Sequence, residues 1–187
     1  MPIIRAFFAI DLPENVQETI YHVMGDLQKK LPANLVKWTR PQHLHITLQF
    51  MPEVEWDEIQ ALIGNVRVEL AQAKSFVIEL DSLALFPTPN QPHLIALQSK
   101  SQEQLANLAS LIGKGIVATN YPIESRSFRS HVTLGRLPRE HLKSVTLEET
   151  TLPAIEKIKV NEVVFFQSEP SHEGSDYIPL MHVKLQP

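Results

Sequence analysis

The chain has no cysteine among its 187 residues. A disulfide framework and a thiolate zinc site are therefore excluded, and a reducing compartment is the simplest environment for the protein. No apolar run approaches the roughly 18 residues of a membrane span. The apolar start at residues 3–10 is interrupted by Arg5, which makes it too short for a signal-peptide core, so it reads better as a buried strand. We expect a cytoplasmic protein without a membrane partner.

The chain also lacks an excess of positive charge. Seventeen basic and 21 acidic residues give a net charge of −4, which argues against a protein that coats nucleic acid through bulk electrostatics. Any polyanionic partner must be bound locally. Basic residues that could do so cluster at two places in the chain, Lys37 and Arg40 first, then Arg126, Arg129 and Arg136.

Two copies of one short motif are the most informative feature of the sequence. His45–Leu48 and His131–Leu134 both read His, β-branched apolar residue, Thr, Leu, and they lie 86 positions apart. In a strand, side chains two apart leave the same face, so each copy presents an imidazole and a hydroxyl to one side and buries the other two residues. Two such strands side by side would form a site with two histidines and two threonines.

This set of groups suits transfer at a phosphodiester. The reaction needs a base on the attacking oxygen, an acid on the leaving oxygen and donors to the non-bridging oxygens. Histidine titrates near neutral pH, so one copy can begin neutral and the other charged, while two threonine hydroxyls donate to the phosphoryl oxygens. The scheme requires no metal.

Hydrophobic periodicity predicts an α+β fold. Helical stripes run over 16–31, 59–70 and 105–116, the last opened by a capping box at 101–104, and a short helix near 138–143 is compatible with the pattern. Strands are predicted at 3–10, 36–38, 44–51, 76–86, 93–98, 129–135, 157–167 and 177–185. Each half offers a strand, a helix and a motif strand. We therefore expect two pseudo-twofold-related lobes, each an antiparallel sheet with flanking helices, around a central cleft within one domain, 1–187.

With these motifs the chain resembles the 2H phosphoesterase superfamily, whose members carry two His-x-Thr-x motifs. Within it, the resemblance is to the RNA 2',3'-cyclic phosphodiesterases historically called 2'-5' RNA ligases. The residues that carry the likeness are Phe7–Pro13, Arg40–Leu48, Phe128–Arg136, Gly174 and Tyr177. Ser130 replaces a usual proline and His43 a frequent asparagine, and neither change removes a group that the chemistry needs.

The resemblance implies hydrolysis of a 2',3'-cyclic phosphate at an RNA end to a 2'-phosphate, without metal or cofactor. In bacterial relatives it also implies a reversible 2'-5' joining of tRNA halves. It nominates His45, Thr47, His131 and Thr133 as catalytic residues and Arg136 as a phosphate contact. We take His131 as the base and His45 as the acid, although the two motifs are equivalent in sequence. A monomer is expected.

Strand parity sorts the other candidates for substrate binding. Arg129 shares the parity of His131 and can face the cleft, whereas Arg126 and Arg136 need a strand end or a β-bulge to turn inward. For Arg126 a solvated surface position is an equal alternative.

Aromatic residues are the other candidates. Phe50 and Phe128 have the opposite parity to the motif histidines, which predicts core packing rather than base stacking. Trp38 and Tyr177 stay open as stacking platforms for a nucleobase.

Three alternatives remain. His43 and His45 could form a metal-binding pair, but no third ligand stands at a recognisable spacing. The chain could bind RNA ends without turnover. It could also act on a small cyclic nucleotide, or ligate RNA in the cell.

Overall fold

The computed structural model describes residues 2–138, 145, 147 and 150–187. Within them lie three α-helices, α1 Glu14–Lys30, α2 Ile59–Leu70 and α3 Gln102–Ala118. The strands described there are β1 Ile3–Asp11, β2 Lys37–Trp38, β3 His45–Glu55, β4 Phe76–Ile78, β5 Leu80–Thr88, β6 Gln91–Ser99, β7 His131–Arg136, β8 Ile158–Val160, β9 Glu162–Ser171 and β10 Gly174–Lys184. None of these helices is long and apolar enough to cross a membrane.

Eight of the strands form one antiparallel sheet. Its order is β10-β9-β1-β3-β7-β6-β5, and the short strand β2 pairs with β7 as well. Strands β4 and β8 form a separate two-stranded antiparallel sheet. The predicted α+β fold with antiparallel sheets is confirmed.

The two halves of the large sheet meet at the motif strands. The pairing between β3 and β7 joins Ile46 to Val132, and each is the second residue of its motif. An antiparallel pair of equivalent residues places a local twofold axis between them. The predicted lobes are therefore β10-β9-β1-β3 on one side and β7-β6-β5 with β2 on the other, joined into one continuous sheet.

Both motif strands contain a bulge at the same motif position. In β3 the pairing with β1 skips Leu48, and in β7 the pairing with β6 skips Leu134. Each leucine is the last residue of its motif. An extra residue in a strand reverses the face taken by the residues after it, so both strands turn new side chains towards the cleft beyond this point.

One continuous core lies behind the sheet. The apolar members of the motifs, Ile46, Leu48, Val132 and Leu134, belong to it together with the buried stripes of all three helices. This burial fixes the register of both motif strands and so aims the alternate residues at the opposite face. A second, smaller cluster forms on β1 and β9 around Phe7 and Phe166.

The sequence-based predictions differ from the structure in three places. The strand predicted over 76–86 is two strands, β4 and β5, and the closing pair is three strands, β8 to β10. The prediction of a capping box at 101–104 is wrong, because the Ser101 side chain makes no capping hydrogen bond to α3. Its ψ of 37° is outside the extended region that an N-cap adopts. The short helix near 138–143 falls largely outside the described residues.

Candidate active site

The four motif side chains line one cavity of about 390 Å³. Because Ile46 lies opposite Val132, the antiparallel register sets His45 across from Thr133 and Thr47 across from His131 on the cleft face. The structure thus brings together the four residues nominated from the motifs.

The first imidazole is held by its own backbone. His45 Nδ1 lies 2.6 Å from the carbonyl oxygen of His43, to which it donates, and His45 Nε2 lies 2.9 Å from the Thr47 hydroxyl. The ring packs 4.9 Å from Phe7 and meets the ring of Tyr177 edge-on at 5.3 Å. The carbonyl fixes the tautomer, so Nε2 is the nitrogen available to the cleft.

The second imidazole repeats this arrangement. His131 Nδ1 lies 2.9 Å from the carbonyl oxygen of Arg129, again two residues earlier in the chain. Its ring stacks on Phe86 with 4.3 Å between centroids. The Arg129 guanidinium lies 4.4 Å from the centre of the same phenyl ring and donates to the Pro87 carbonyl at 2.9 Å. Both motif histidines therefore use Nδ1 for the backbone and leave Nε2 for chemistry.

The surroundings of both imidazoles favour the neutral form in the free protein. Burial lowers the pKa of His45 to about 4, with a smaller opposing effect from its hydrogen bond to His43. Burial also lowers the pKa of His131, and the nearby positive charges of Arg129 and Arg136 act in the same direction. A phosphodiester anion between the rings would act in the opposite direction on both pKa values.

Three arginines nominated from the sequence have different positions. The bulge at Leu134 turns Arg136 into the catalytic cavity, as its parity required. Arg129 and Arg126 line a neighbouring cavity of about 430 Å³. The Arg126 side chain is 86% exposed and pairs with Glu124, which matches the solvated alternative.

The prediction of core packing for Phe50 is wrong. Its side chain is 38% exposed and lines both the catalytic cavity and the neighbouring one. The Arg5 guanidinium lies 5.5 Å from the centre of its ring. The physical reason is the bulge at Leu48, which reverses the parity on which the prediction was based. Phe128 is half-buried against the core, as predicted.

The two aromatic platforms are not equivalent. Tyr177 lines the catalytic cavity, and its ring lies 4.6 Å from that of His43 as well as beside His45. Trp38 packs partly against the core and lines an adjoining cavity of about 170 Å³ instead.

Three further residues shape the site. Two of them were not singled out from the sequence, and the third was named only as a member of the basic clusters that could bind a polyanion. Phe86 supports His131, but nothing in the sequence links the two positions. The Gln102 side chain donates to the Phe128 carbonyl and accepts from the Ser130 amide, both at 2.7 Å, and so clamps the segment that enters the second motif. Such backbone contacts leave no sequence pattern.

The third, Arg40, connects the first motif to the last hairpin. It donates to the Ser175 carbonyl at 2.9 Å and forms ion pairs with Asp176 and Glu173. These contacts hold the start of β10 beside the segment that precedes the first motif. Two features of the sequence could have indicated this role for Arg40: its position near Lys37 in a basic cluster and its position at the start of the segment that contains the first motif.

Within the part of the chain that the structure describes, no three His, Asp or Glu side chains lie close enough together to hold a metal ion. The ring of His43 packs on Tyr177, and its carbonyl oxygen is the atom that contacts His45.

The structure brings a His-x-Thr pair from each of two symmetry-related strands to one cleft of an antiparallel α+β fold, as the resemblance to the 2H phosphoesterases predicts. Residues 10–96 match the family model described as LigT-like phosphoesterase. The match covers a little under half of the chain. The chain is therefore similar to this family, in agreement with the prediction of a phosphoesterase.

Relatives and solved structures point to the same similarity. The RNA 2',3'-cyclic phosphodiesterase of Methanothermobacter thermautotrophicus is 28% identical over 97% of this chain and 99% of its own length. That of Archaeoglobus fulgidus is 25% identical over 73% of this chain and 74% of its own. The crystal structure of Escherichia coli LigT complexed with 3'-AMP superimposes with a TM-score of 0.81 at 24% identity, covering all of both chains. At 24% sequence identity this structural match establishes the fold alone.

Proposed function

We propose that this protein hydrolyses the 2',3'-cyclic phosphate at RNA ends to a 2'-phosphate. The observation that carries the proposal is that two imidazoles, fixed by equivalent backbone contacts, present Nε2 to one cavity. The relatives named as RNA 2',3'-cyclic phosphodiesterases support the substrate. The single-domain, monomeric and cytoplasmic predictions stay predictions.

In the proposed reaction one neutral imidazole takes a proton from water as the water oxygen attacks phosphorus. The bond from phosphorus to the 3'-oxygen breaks, and the other imidazole, protonated at Nε2, gives its proton to that oxygen. The hydroxyls of Thr47 and Thr133 and the Arg136 guanidinium stabilise the charge on the non-bridging oxygens. Proton exchange with solvent then restores both rings.

His131 serves as the base and His45 as the acid in this proposal. His131 lines both cavities, so water can approach it from the side away from His45. His45 lies deeper, and its depressed pKa makes it a strong acid once the bound phosphate anion has favoured its protonation.

The test uses an RNA oligonucleotide that ends in a 2',3'-cyclic phosphate, in buffer with EDTA. The wild-type protein should open it, and His45→Ala or His131→Ala should each lower kcat by about 100-fold or more. His182→Ala is the matched control, because His182 is exposed and contacts Glu162 rather than the cleft. The product should have the mass of a phosphomonoester and resist a 3'-specific phosphatase. Unchanged turnover in either motif variant, or loss of activity in EDTA, would contradict the proposal.

The same site would also serve a transesterification, in which the 5'-hydroxyl of a second RNA end replaces water as the nucleophile. The bond from phosphorus to the 3'-oxygen breaks as before, and that oxygen takes the proton of the acid. Cavities of about 430 and 170 Å³ adjoin the catalytic one, which favours 2'-5' joining of two RNA ends, such as tRNA halves, as a second candidate activity. A mixture of cyclic-phosphate and 5'-hydroxyl oligonucleotides should then yield a product that resists ribonucleases specific for 3'-5' linkages. Absence of this product at high RNA concentration would restrict the protein to hydrolysis.

A further inference from the structure

Two positive side chains face each other beside the catalytic cavity. Lys37 in β2 is the direct partner of Arg136 in β7. Like charges directly opposite each other on neighbouring strands destabilise a sheet. Among the described residues neither side chain has a hydrogen bond or ion-pair partner. The two carboxylates of the adjoining hairpin, Glu173, which also lines the cavity between them, and Asp176, pair with Arg40 instead. The fold therefore maintains an unneutralised pair of cations at this place.

The close packing of β2 against β7 is what maintains the pair. A Cβ atom at Gly135 would lie 2.3 Å from Cγ1 of Val36 and 3.4 Å from the carbonyl oxygen of Lys37. Any larger residue would push β2 away, so glycine is the residue that allows the approach. The Lys37 side chain then reaches over the last hairpin, with Nζ 3.5 Å from the corresponding Cβ position of Gly174.

The two cations line a cavity of about 170 Å³ that is continuous with the catalytic one. Arg136 lines both cavities. The other residues that the two cavities share are Thr39, His43, Ser175 and Tyr177. An anion in the smaller cavity would therefore lie close to a phosphate held between His45 and His131, and it would neutralise the repulsion between Lys37 and Arg136.

We propose that Lys37 and Arg136 form a second phosphate subsite, which binds the phosphate on the 5' side of the terminal nucleotide. This inference rests on the proposed function, because it takes the reacting group to be a nucleotide phosphate. In an RNA end the neighbouring phosphate is one nucleotide away, which matches a subsite that shares Arg136 with the catalytic cavity. The subsite would make the protein favour RNA ends, or 5'-phosphorylated nucleotides, over cyclic mononucleosides that lack this phosphate.

The test measures binding, so that it does not depend on turnover. Adenosine 2'-monophosphate and adenosine 2',5'-bisphosphate are titrated calorimetrically into wild-type protein at low salt. The bisphosphate should bind at least about tenfold more tightly, as expected for one added charge-assisted contact. Lys37→Gln should abolish this difference while leaving the monophosphate Kd unchanged, and Lys37→Arg should retain it. Lys159→Gln is the control, since it removes one charge from an exposed position in β8 of the separate two-stranded sheet.

Equal affinity for the two ligands in the wild-type protein would overturn the subsite, and so would a preference that survives in Lys37→Gln. A kinetic arm separates this outcome from failure of the proposed function. Adenosine 2',3'-cyclic phosphate with and without a 5'-phosphate serves as substrate, and the 5'-phosphate should raise kcat/KM about tenfold in the wild type but not in Lys37→Gln. If neither compound nor the cyclic-phosphate oligonucleotide is opened, the proposed function fails while the calorimetry still decides the subsite.

Discussion

Ile46 lies directly opposite Val132 where the two motif strands pair. The pairing makes the cleft symmetric at the motifs but not beyond them. Five residues after each motif histidine come Phe50 and Arg136, and equivalent bulges turn both into the cleft. One half therefore offers an aromatic ring and the other a guanidinium, so a bound nucleotide meets two different environments on either side of its phosphate.

The asymmetry of the two histidines can be tested with a leaving group that needs no proton. In a cyclic phosphate with sulfur in place of the 3'-oxygen, the leaving group is a thiolate, which is far more stable than an alkoxide. If His45 is the acid, His45→Ala should lose about 100-fold on the oxygen substrate but less than about tenfold on the sulfur substrate. His131→Ala should lose about 100-fold on both. Initial rates of the two variants on both compounds give the answer.

The reversed pattern, with His131→Ala rescued by sulfur, would exchange the two roles. Rescue of neither variant would contradict acid catalysis at the 3'-oxygen by either ring.

Gln102 is predicted to be a positioning residue for the second motif. Its amide holds the Phe128 carbonyl and the Ser130 amide, and Ser130 directly precedes His131. Gln102→Leu removes both contacts, and the resulting shift of the imidazole should lower kcat about tenfold with little change in KM. Gln102→Glu keeps only the acceptor for the Ser130 amide and should give an intermediate kcat. Gln104→Leu, on an exposed position of the same helix, is the control.

A purely structural role for Gln102 would show a different result. The free energy of unfolding would fall by about 1–3 kcal/mol through the unpaired backbone groups, while kcat of the folded enzyme stayed at the wild-type value.

The motif strands and the helices could be predicted from the sequence because their burial is periodic. Ile46, Leu48, Val132 and Leu134 alternate with the polar motif residues, and this alternation fixes which face each occupies. It also identified the four residues that share the cavity. The symmetry followed because the two strands carry the same pattern.

The residues beyond the motifs could not be predicted, because a bulge leaves no reliable mark in the sequence. At Leu48 and Leu134 the alternation ends. Strand parity therefore assigned Phe50 to the wrong face of the sheet, and for Arg136 it showed only that a strand end or a bulge was needed to reach the cleft. Contacts between distant segments are the second reason. Phe86 reaches His131 only because β5, β6 and β7 are neighbours in the sheet, and pairing order is not encoded locally.

Gly135→Ala should destabilise the protein by about 1–3 kcal/mol, since the new methyl group would overlap with Val36 and force β2 outward. Gly64→Ala is the matched control. No heavy atom lies within 4 Å of a Cβ at Gly64, and alanine is the better helix former in α2 by roughly 0.5–1 kcal/mol. Urea unfolding at neutral pH should therefore move in opposite directions for the two variants. Wild-type stability of Gly135→Ala would contradict the tight β2–β7 contact.

The half-buried His45 should make the folded protein sensitive to acid. Its pKa is lowered to about 4, chiefly by burial, while in the unfolded chain it stays near the ordinary value of roughly 6.5. The unfolded state therefore binds a proton first as the pH falls. The contribution of this group to stability is complete above roughly pH 6.5 and is lost between there and pH 4, at a total of about 3 kcal/mol.

The measurement compares free energies of unfolding in urea at pH 7.5 and pH 4.5 for the wild-type protein and His45→Gln. The wild-type protein should lose about 2–3 kcal/mol more than the variant over this range. Asp11 acts in the opposite direction, because burial raises the pKa of its carboxyl group in the folded state. That effect is common to both proteins and cancels in the difference. Parallel stability profiles for the two proteins would show that the His45 pKa is not depressed.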